Sequence, residues 1–513
     1  MPIGSSLNDL KLKVQKKLKI KSFKKFSVSK QSIDARDKKN IMYVYSVDVA
    51  FDNEGKYINN KDILKIEPYE YKLNKINSKV RPVIVGSGPA GLFAALILAE
   101  SGAKPIILER GKPVDERKKD VDLFFETGVL NEESNVQFGE GGAGSFSDGK
   151  LTTGVNDFRA KKILDEFIFA GAPEEIGYLS KPHIGTDNLK LVIKNIRGKI
   201  IKLGGEFRFS NKLIDLEVEG NSLVALKVKS EGGEYYIEGD KAILALGHSA
   251  RSTFYMLGGK GLTIARKSFS VGFRIEHLQK MIDKSQYGGF YKKLPPAEYK
   301  LNTHTSNGRG VYTFCMCPGG QVVAAASEKG GLVTNGMSYY GRDLENSNAA
   351  LLVGINADEF KSNDVFEGVK FQIALEEKAF KLGGGDFKAP VQLLGDFLIG
   401  KASTSIGSVT PSYKPGFTLA DLNSCFSGEL LFAFKEAIYD LDKKLHGFNT
   451  YDAALTFAES RSSSPIRFIR GSNFESNIKG LYLAGEGAGY AGGIMSAAID
   501  GIKASESMIQ GLI

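Results

Sequence analysis

The chain has 513 residues, of which 42% are apolar and 25% are charged. This composition is typical of a globular protein of two or three domains and excludes a disordered or fibrous chain. No apolar run is long enough to span a membrane, no hydrophobic signal core is present, and three cysteines are too few for a secreted disulfide framework. We therefore expect a cytoplasmic protein.

The net charge of +9 is concentrated at the N-terminus. Residues 1–40 contain twelve Lys or Arg and three Asp, so the remainder of the chain is balanced. Periodicity predicts a helix over residues 6–19 and strands over residues 23–29 and 42–51, which indicates a small basic α/β module over residues 1–75. Its lysines could bind nucleic acid or an acidic partner, but interleaved aromatic residues are sparse. A solvated face is favoured, and nucleic acid is not an expected partner.

A glycine motif follows the apolar strand predicted over residues 83–85 and opens an apolar helix. Gly86 permits a tight turn, Gly88 leaves room for a pyrophosphate, and Gly91 lets helix and strand approach closely. The helix N-terminus then faces the phosphates with its positive dipole end. This arrangement predicts a dinucleotide cradle made of Gly86, Gly88, Pro89, Ala90 and Gly91.

The second predicted strand, residues 104–108, ends at Glu109, about 20 residues beyond the glycines, where a carboxylate can accept both ribose hydroxyls. The same carboxylate repels a 2′-phosphate, so NADP is disfavoured in this cradle. The glycine spacing recurs at residues 139–144 and 487–492, but neither copy has a strand before it, a helix after it and an acid downstream. Only the first copy is predicted to be a dinucleotide site.

A second glycine-rich stretch covers residues 137–150 and is predicted to pass close to a flat or charged ligand, with a flexible surface loop as the alternative. Residues 186–203 predict a helix capped by Thr186 or Asp187. An apolar strand over residues 241–247 then ends at Gly247. Between that helix and that strand, a small antiparallel meander is predicted from residues 206–209, 213–218, 223–228 and 235–237.

The remaining chain divides into a long mixed segment and a short closing segment. Residues 251–475 are expected to be a mixed α/β domain inserted into the cofactor-binding domain, whose first part is residues 76–250. Residues 476–513 contain a strand, a glycine turn and a helix, and the strand must return to the first sheet to bury its apolar side chains. The predicted fold class is α/β: a Rossmann-like domain with a parallel sheet and a small meander, an inserted mixed domain, and an N-terminal module.

Three features together resemble the glutathione-reductase-type FAD-binding flavoproteins: the N-terminal cradle with Glu109, the strand ending at Gly247, and the C-terminal pair Gly485 and Glu486. The resemblance implies that FAD is the cofactor, that Glu486 holds the ribitol, and that the helix beginning at Gly493 faces the flavin pyrimidine edge. A helix N-terminus there favours the negative charge of reduced flavin. The residues expected to contact FAD are Gly86, Gly88, Pro89, Ala90, Gly91, Glu109, Arg110, Gly142, Leu213, Gly247, Gly485, Glu486, Gly493 and Ile494.

The chain is also similar to a family of uncharacterised bacterial FAD-dependent dehydrogenases, through residues 32–36, 138–151, 182–187, 314–320 and 335–338. This resemblance covers nearly the whole chain. It supports the cofactor but implies no particular substrate.

Candidate chemistry outside the cofactor cradle is sparse. Cys315 and Cys317 could be a redox pair near the flavin, but buried thiols at a strand end are the favoured interpretation. No histidine joins them at ligand spacing, so no metal site is expected. His248 could contact cofactor or substrate. Arg461 and Arg467 could clamp an anionic substrate, with a surface loop as the equal alternative.

The sequence therefore predicts an FAD-dependent, dehydrogenase-like oxidoreductase that passes a hydride between flavin and a small molecule. NAD(P)H could serve as a transient reductant. Two alternatives stay open: a flavoprotein bound to RNA through the basic module, and a non-catalytic redox-sensing flavoprotein.

Overall fold

The computed structural model of the chain describes residues 1–57, 62–77 and 80–512. Residues 58–61, 78–79 and 513 lie outside the described residues. They belong, in this order, to the predicted basic module, to the first part of the cofactor-binding domain and to its closing segment. The fold class is confirmed: the fold is α/β, with a parallel sheet, a large mixed sheet and several smaller sheets. None of the helices in the described ranges is long and apolar enough to cross a membrane.

The N-terminal module contains one helix and one antiparallel hairpin. These elements are α1 (Leu7–Leu18), β1 (Lys25–Asp34) and β2 (Met42–Ala50). Ser6 caps α1 in a capping box with Asp9. The amide of Gln31 in β1 donates to the Tyr178 carbonyl at 2.7 Å, and the Ser180 amide donates back to the Gln31 carbonyl at 2.9 Å. The hairpin is therefore attached to the following domain through main-chain hydrogen bonds.

The cofactor-type domain is built on five parallel strands. Its elements before the insertion are β3 (Val83–Val85), α2 (Pro89–Ser101), β4 (Ile106–Leu108), α3 (Val114–Thr127), α4 (Arg159–Phe169), α5 (Gly185–Lys202), β5 (Glu206–Arg208), β6 (Lys212–Glu219), β7 (Ser222–Ser230), β8 (Gly233–Glu238) and β9 (Ala242–Leu244). Strands β6, β7 and β8 form the expected antiparallel meander.

Two local predictions in this domain are wrong. Strand β5 does not belong to the meander but pairs in parallel with β4, because a short half-buried strand takes its partner from tertiary context rather than from its own sequence. Helix α5 begins at Gly185, and neither Thr186 nor Asp187 caps it. The Thr186 hydroxyl donates instead to the Ser145 carbonyl, and the Asp187 carboxylate accepts from the Tyr340 amide.

The inserted segment contains a seven-stranded sheet. Its elements are α6 (Arg251–Gly259), β10 (Ile264–Arg266), β11 (Phe269–Leu278), α7 (Gln279–Tyr287), β12 (Asn302–His304), β13 (Gly310–Cys317), β14 (Gly320–Ala324), β15 (Thr334–Ser338), β16 (Asn346–Ile355), α8 (Glu367–Gly383), β17 (Ala389–Leu393), α9 (Leu394–Ile399), β18 (Phe417–Leu419), α10 (Gly428–Lys444), β19 (Ala454–Glu459) and β20 (Ile466–Phe468). The sheet order is β12-β13-β16-β11-β19-β17-β18.

The two faces of this sheet differ in chemistry. Along β11 the side chains alternate, so Phe273 packs edge-to-face on Phe434 of α10 while Arg274 lies on the opposite face. That opposite face is covered by the β14–β15 hairpin, where a Cβ added to Gly336 would lie 2.0 Å from the Arg274 guanidinium. The inserted domain therefore buries a polar sheet face as well as an apolar one.

The chain closes with β21 (Leu481–Leu483) and α11 (Ile494–Gln510). Strand β21 pairs in parallel with β9 and completes the sheet order β21-β9-β3-β4-β5. Helix α11 packs closely on α2, since a Cβ on Gly501 would lie 2.0 Å from the Ala90 carbonyl oxygen. The C-terminal glycine turn is thereby placed beside the N-terminal cradle.

Candidate functional site

The three motif glycines occupy three different environments. A Cβ on Gly86, whose φ is +103°, would lie 2.3 Å from the Ala245 carbonyl oxygen, and one on Gly91 would lie 1.9 Å from the Gly86 carbonyl oxygen. Both positions exclude any side chain. Among the described residues, a Cβ on Gly88 would meet only the Cα of Gly142, at 3.8 Å, so the described part of the chain leaves the space in front of Gly88 open. This is the position where the motif leaves room for a pyrophosphate.

The C-terminal turn lies against the same helix start. Gly485 has φ +79°, and a Cβ there would lie 2.9 Å from the Ala90 side chain. The Gly485 amide donates to the Asp500 carboxylate at 2.7 Å, which fixes the turn to α11. Gly493 precedes Ile494 with φ +78°, and within the described residues an added Cβ would meet nothing within 4 Å. The structure thus brings both glycine turns together and leaves space at Gly493 as well as at Gly88.

Glu109 is buried at the end of β4 and accepts four hydrogen bonds. One carboxylate oxygen accepts from the Ser87 amide and hydroxyl, and the other accepts from the amides of Gly111 and Gly139. In the structure Glu109 therefore holds the first glycine turn to the second glycine loop. Its expected contact with a ribose stays a prediction and requires ribose hydroxyls to share these acceptor positions.

Three other predicted cofactor residues are Arg110, Leu213 and Gly247. The Arg110 guanidinium stacks over the Phe138 ring at 3.7 Å and pairs with Glu133. Leu213 is buried in β6 and packs in the same core cluster as Phe138. Gly247 lies just beyond the carboxyl end of β9 with φ +70°, and a Cβ on Gly487 would lie 2.5 Å from its carbonyl oxygen.

His248 and Glu486 face each other across the two sheet ends. His248 Nδ1 lies 3.5 Å from Glu486 Oε2, and both side chains are largely buried. His248 Nε2 is buried and has no hydrogen-bond partner within the described part of the chain. Lys267 lies near the Glu486 carboxylate, and burial lowers the pKa of its ammonium group. Glu486, the residue expected to bind the ribitol, therefore lies beside the side chains of His248 and Lys267.

The glycine loop of residues 137–150 is held by Arg117, a residue that no sequence motif marks. This guanidinium is fully buried, and burial lowers its pKa to about 10. It donates five hydrogen bonds to main-chain oxygens of the loop and its entry, those of Asn135, Val136, Gly139, Glu140 and Gly142. The alternative of a flexible surface loop is therefore wrong for this stretch.

The far end of the loop contacts the inserted domain. Asp148 forms a two-fold hydrogen bond with the Arg342 guanidinium at 2.9 and 2.5 Å. Burial opposes ionisation of Asp148, but Lys150 and Arg342 lower its pKa to about 2. The Lys150 ammonium lies 3.4 Å from Asp148 and donates to the Met316 carbonyl oxygen. One loop thus runs from the cradle to the strand that carries the two cysteines.

Cys315 and Cys317 lie at the end of β13 on the polar side of the large sheet. Cys317 is fully buried, whereas Cys315 is half-buried. The Arg274 guanidinium donates to the Cys315 carbonyl oxygen at 2.7 Å and lies 3.4 Å from Cys317 Sγ. Its counter-ion is Glu459, at 3.3 Å, whose pKa burial raises to about 7. Lys150 and Arg274 are cations of this site, and the sequence signal for Arg274 was a charged residue in a strand whose polar and apolar positions alternate.

Arg461 is neither exposed nor free to bind an anion. Its guanidinium is buried and, together with Arg251, binds the fully buried Glu376 at 2.7 Å. Both readings of Arg461, a substrate clamp and a surface loop, are therefore wrong. Arg467 instead donates to the Gly489 carbonyl oxygen and lies over Tyr490.

The residues present fit an FAD molecule. At the first glycine turn, Gly88 leaves space for a ligand, whereas Gly86 and Gly91 are packed too closely to carry a side chain. At the second turn, His248 lies beside Glu486, and its Nε2 has no hydrogen-bond partner among the described residues. These features lie along one path from the first glycine turn to the second. Among the described residues no group of three or more His, Cys, Asp or Glu could hold a metal ion.

Comparison with known families agrees with this fit. Residues 79–119 match the family described as "FAD binding domain", and residues 268–462 match "FAD-dependent protein, C-terminal domain-like". Residues 2–50 match a domain of unknown function. These matches confirm the expected cofactor, FAD, and the expected class, an FAD-dependent oxidoreductase. They do not distinguish the glutathione-reductase type, which stays a prediction.

Comparison with individual proteins finds a relative that matches nearly the whole chain. An uncharacterized protein from Clostridium beijerinckii is 47% identical over 524 aligned residues, which cover 99% of this chain and 97% of that protein. Among solved structures, a flavin-dependent brominase is 13% identical with a TM-score of 0.39, covering 84% of this chain and 79% of the brominase. A flavoprotein/dehydrogenase from Cytophaga hutchinsonii is 13% identical with a TM-score of 0.37, covering 85% of this chain and 79% of that protein. At these identities and TM-scores neither structure informs the function of this chain.

Proposed function

The chain belongs to the family of the Clostridium beijerinckii protein, and because it carries the FAD-binding domain we propose that it passes a hydride between FAD and a small organic molecule. The proposal includes a dehydrogenase-like reaction, a cytoplasmic location and NAD(P)H as a transient reductant rather than a resident ligand. A single complete dinucleotide fingerprint in the sequence supports this transient role.

The observation that carries the proposal is the course of the glycine loop. Gly142 lies against Gly88 at the cradle, since a Cβ on Gly142 would be 3.1 Å from the Gly88 Cα. Lys150, at the other end, contacts the inserted domain at Met316. A cofactor in the cradle would therefore lie against a loop whose other end reaches the inserted domain, where we place the substrate.

The chain's own residues have assignable tasks in this reaction. FAD, when bound, supplies the redox chemistry. Gly86, Gly88 and Gly91 would form the turn that holds its pyrophosphate, Glu486 would orient its ribitol, and Gly493 would open the N-terminus of α11 toward its pyrimidine edge. His248 can donate or accept one proton at Nε2, which has no hydrogen-bond partner among the residues that the structure describes. Burial of the polar sheet face excludes bulk water from the groups around Arg274.

Anaerobic mixing of the purified holoprotein with NADH, NADPH and a panel of small organic donors tests the proposal. Bleaching of the flavin absorbance by at least one donor is expected, and Gly88→Leu protein without FAD is the matched blank. The proposal would be contradicted if dithionite reduces the flavin but no organic donor does, and if no organic acceptor reoxidises the reduced flavin.

A further inference from the structure

We propose that Arg467 and Lys267 bind an oxyanion of the substrate, a carboxylate or a phosphate group, beside the turn that carries Glu486. The inference rests on the proposed function and narrows its small organic molecule to an anionic one. It concerns two cations to which the fit of FAD assigns no task.

The two cations lie on one face of the short ladder formed by β10 and β20, which leads into and out of the seven-stranded sheet. Ile466 and Phe468 are buried in the core around the first sheet. Since side chains alternate along a strand, Arg467 between them lies on the opposite face. The Lys267 amide donates to the Pro465 carbonyl oxygen at 2.9 Å and continues the ladder, so Lys267 shares that face with Arg467.

Arg467 contacts the C-terminal glycine turn directly. A Cβ on Gly489 would lie 2.7 Å from the Arg467 Cα, and Arg467 Nε donates to the Gly489 carbonyl oxygen at 3.3 Å. The Gly489 amide donates to the Glu486 carbonyl oxygen at 2.9 Å, and a Cβ on Gly492 would lie 3.2 Å from Glu486 Oε1. Arg467 is therefore fixed to the segment that begins at Glu486 and leads into α11, beside which the ribitol and the flavin are expected.

Both cations keep donors that the described part of the chain does not use. There, Arg467 donates from Nε alone, which leaves both terminal nitrogens of its guanidinium, and Lys267 Nζ donates to the Ser464 carbonyl oxygen at 3.3 Å. Both side chains are half-buried, and neither forms an ion pair with a described carboxylate. Burial lowers the pKa of the Lys267 ammonium, Glu486 opposes this only in part, and Arg467 adds to it. Half-buried positive charge of this kind favours an anion from outside the chain.

Arg470, three residues after Arg467, provides the internal contrast. Its guanidinium donates to both carboxylate oxygens of Asp500 at 2.7 and 2.8 Å and to the Leu483 carbonyl oxygen at 2.6 Å. Both arginines lie over the ring of Tyr490, at 3.8 Å for Arg470 and 5.0 Å for Arg467. Arg470 thus holds the fold together, whereas Arg467 is stacked with its terminal nitrogens free. A planar guanidinium so held matches the two oxygens of a carboxylate or phosphate.

The anion is assigned to the substrate rather than to FAD. The cofactor pyrophosphate is expected in front of Gly88, where the N-terminus of α2 supplies amides and a positive dipole end. Arg467 lies instead on the turn of Glu486, whose carboxylate is 3.5 Å from His248 Nδ1. A substrate held there by its anionic group would be bound on the turn that also positions His248, the residue proposed to donate or accept a proton.

Anion binding to the oxidised holoprotein tests the site without turnover. Inorganic phosphate and acetate are the probes, and the melting temperature and flavin absorbance are followed at constant ionic strength in wild type, Arg467→Gln and Lys267→Gln. We expect wild type to bind both probes roughly ten- to hundredfold more tightly than either variant, the range for hydrogen bonds to charged groups. Lys280→Gln, which removes an exposed charge on α7, is the matched control and should bind as wild type does.

A second measurement needs no variant. Phenylglyoxal, which modifies accessible arginines, should label Arg467 in the wild-type holoprotein, and phosphate should protect it, while Arg470 stays unlabelled. Mass spectrometry of the peptides reads both residues separately. Equal anion binding in wild type and both variants, or no protection of Arg467 by phosphate, would overturn the site.

Titration of each apoprotein with FAD distinguishes the two sources of an anion. Both variants should keep the wild-type affinity for FAD, and a loss of roughly tenfold or more would assign the cations to the cofactor pyrophosphate and contradict the substrate site. Failure of the proposed function looks different, because no organic donor, anionic or neutral, would then reduce the flavin, whatever phosphate and acetate do.

Discussion

Gly91 of α2 approaches Gly86 so closely that a Cβ on Gly91 would lie 1.9 Å from the Gly86 carbonyl oxygen. Gly88, between them, has no such neighbour in the described part of the chain, where its Cβ would meet only a Cα at 3.8 Å, and its φ of −69° suits any residue. The fold therefore requires glycine at the two outer positions for packing. At Gly88 the requirement must come from a ligand.

This difference gives a prediction with two opposite outcomes. Gly88→Leu should keep the fold, and hence the melting temperature of the apoprotein, but lose FAD binding because the side chain fills the pyrophosphate position. Gly91→Ala should lower the melting temperature of the apoprotein itself. Gly198→Ala, in an open position inside α5, is the control: it should not lower the melting temperature, because alanine favours a helix, and it should leave FAD binding unchanged. FAD retained at normal occupancy in Gly88→Leu would show that the cradle lies elsewhere.

Arg117 holds the glycine loop by five main-chain hydrogen bonds from a buried guanidinium. We expect Arg117→Met to destabilise the protein by at least ~3 kcal/mol, because several buried carbonyl groups lose a charged donor at once. Measurement of chemical unfolding and of FAD affinity should show both falling together. The neighbouring Lys118→Met, whose side chain is half-exposed, is the control. Equal stability of the two variants would contradict this role.

The first sheet and its cradle could be predicted because local signals agreed with the fold. Residues 83–85 are an uninterrupted apolar run before a glycine turn, and the observed strand has the same bounds. The last strand could be placed in the same sheet because its apolar residues had no other surface to cover. Strand β5 could not be placed, since three half-buried residues carry no periodicity that separates a parallel partner from a meander.

The candidate site was predictable only where a motif encodes it. Glycines and the acids Glu109 and Glu486 follow from backbone and ribose chemistry that leaves a pattern in sequence. Arg117 gave no such signal, because it stands among exposed charges on α3 and its burial depends on a loop more than 15 residues later. Arg274 could have been found, since the polar positions of β11 alternate with apolar ones, which indicates a sheet with two different buried faces.

The boundary between the basic module and the cofactor domain can be tested by truncation. Tyr71 donates to Glu506 on α11 at 2.7 Å, and Leu73 packs against the core formed around α2. We propose that residues 1–57 are the separable part and that deleting them leaves FAD bound. Deleting residues 1–75 should cost about 2 to 4 kcal/mol more, since it also removes these contacts. Thermal unfolding of the two truncated holoproteins measures the difference, and equal melting temperatures would place the boundary at residue 75.

Glu486 gives the last prediction, on the affinity for FAD. Its carboxylate lies 3.5 Å from His248 and near Lys267, at the turn that faces the N-terminal cradle. A charge-assisted hydrogen bond that a ribitol hydroxyl donates to this carboxylate is worth about 1.5 to 3 kcal/mol, so Glu486→Ala should weaken FAD binding by roughly one to two powers of ten. Titration of apoprotein with FAD measures this, and Glu126→Ala, an exposed carboxylate on α3, should leave the affinity unchanged. If Glu486→Ala folds normally and its dissociation constant for FAD is unaltered, Glu486 contacts His248 but does not bind the ribitol.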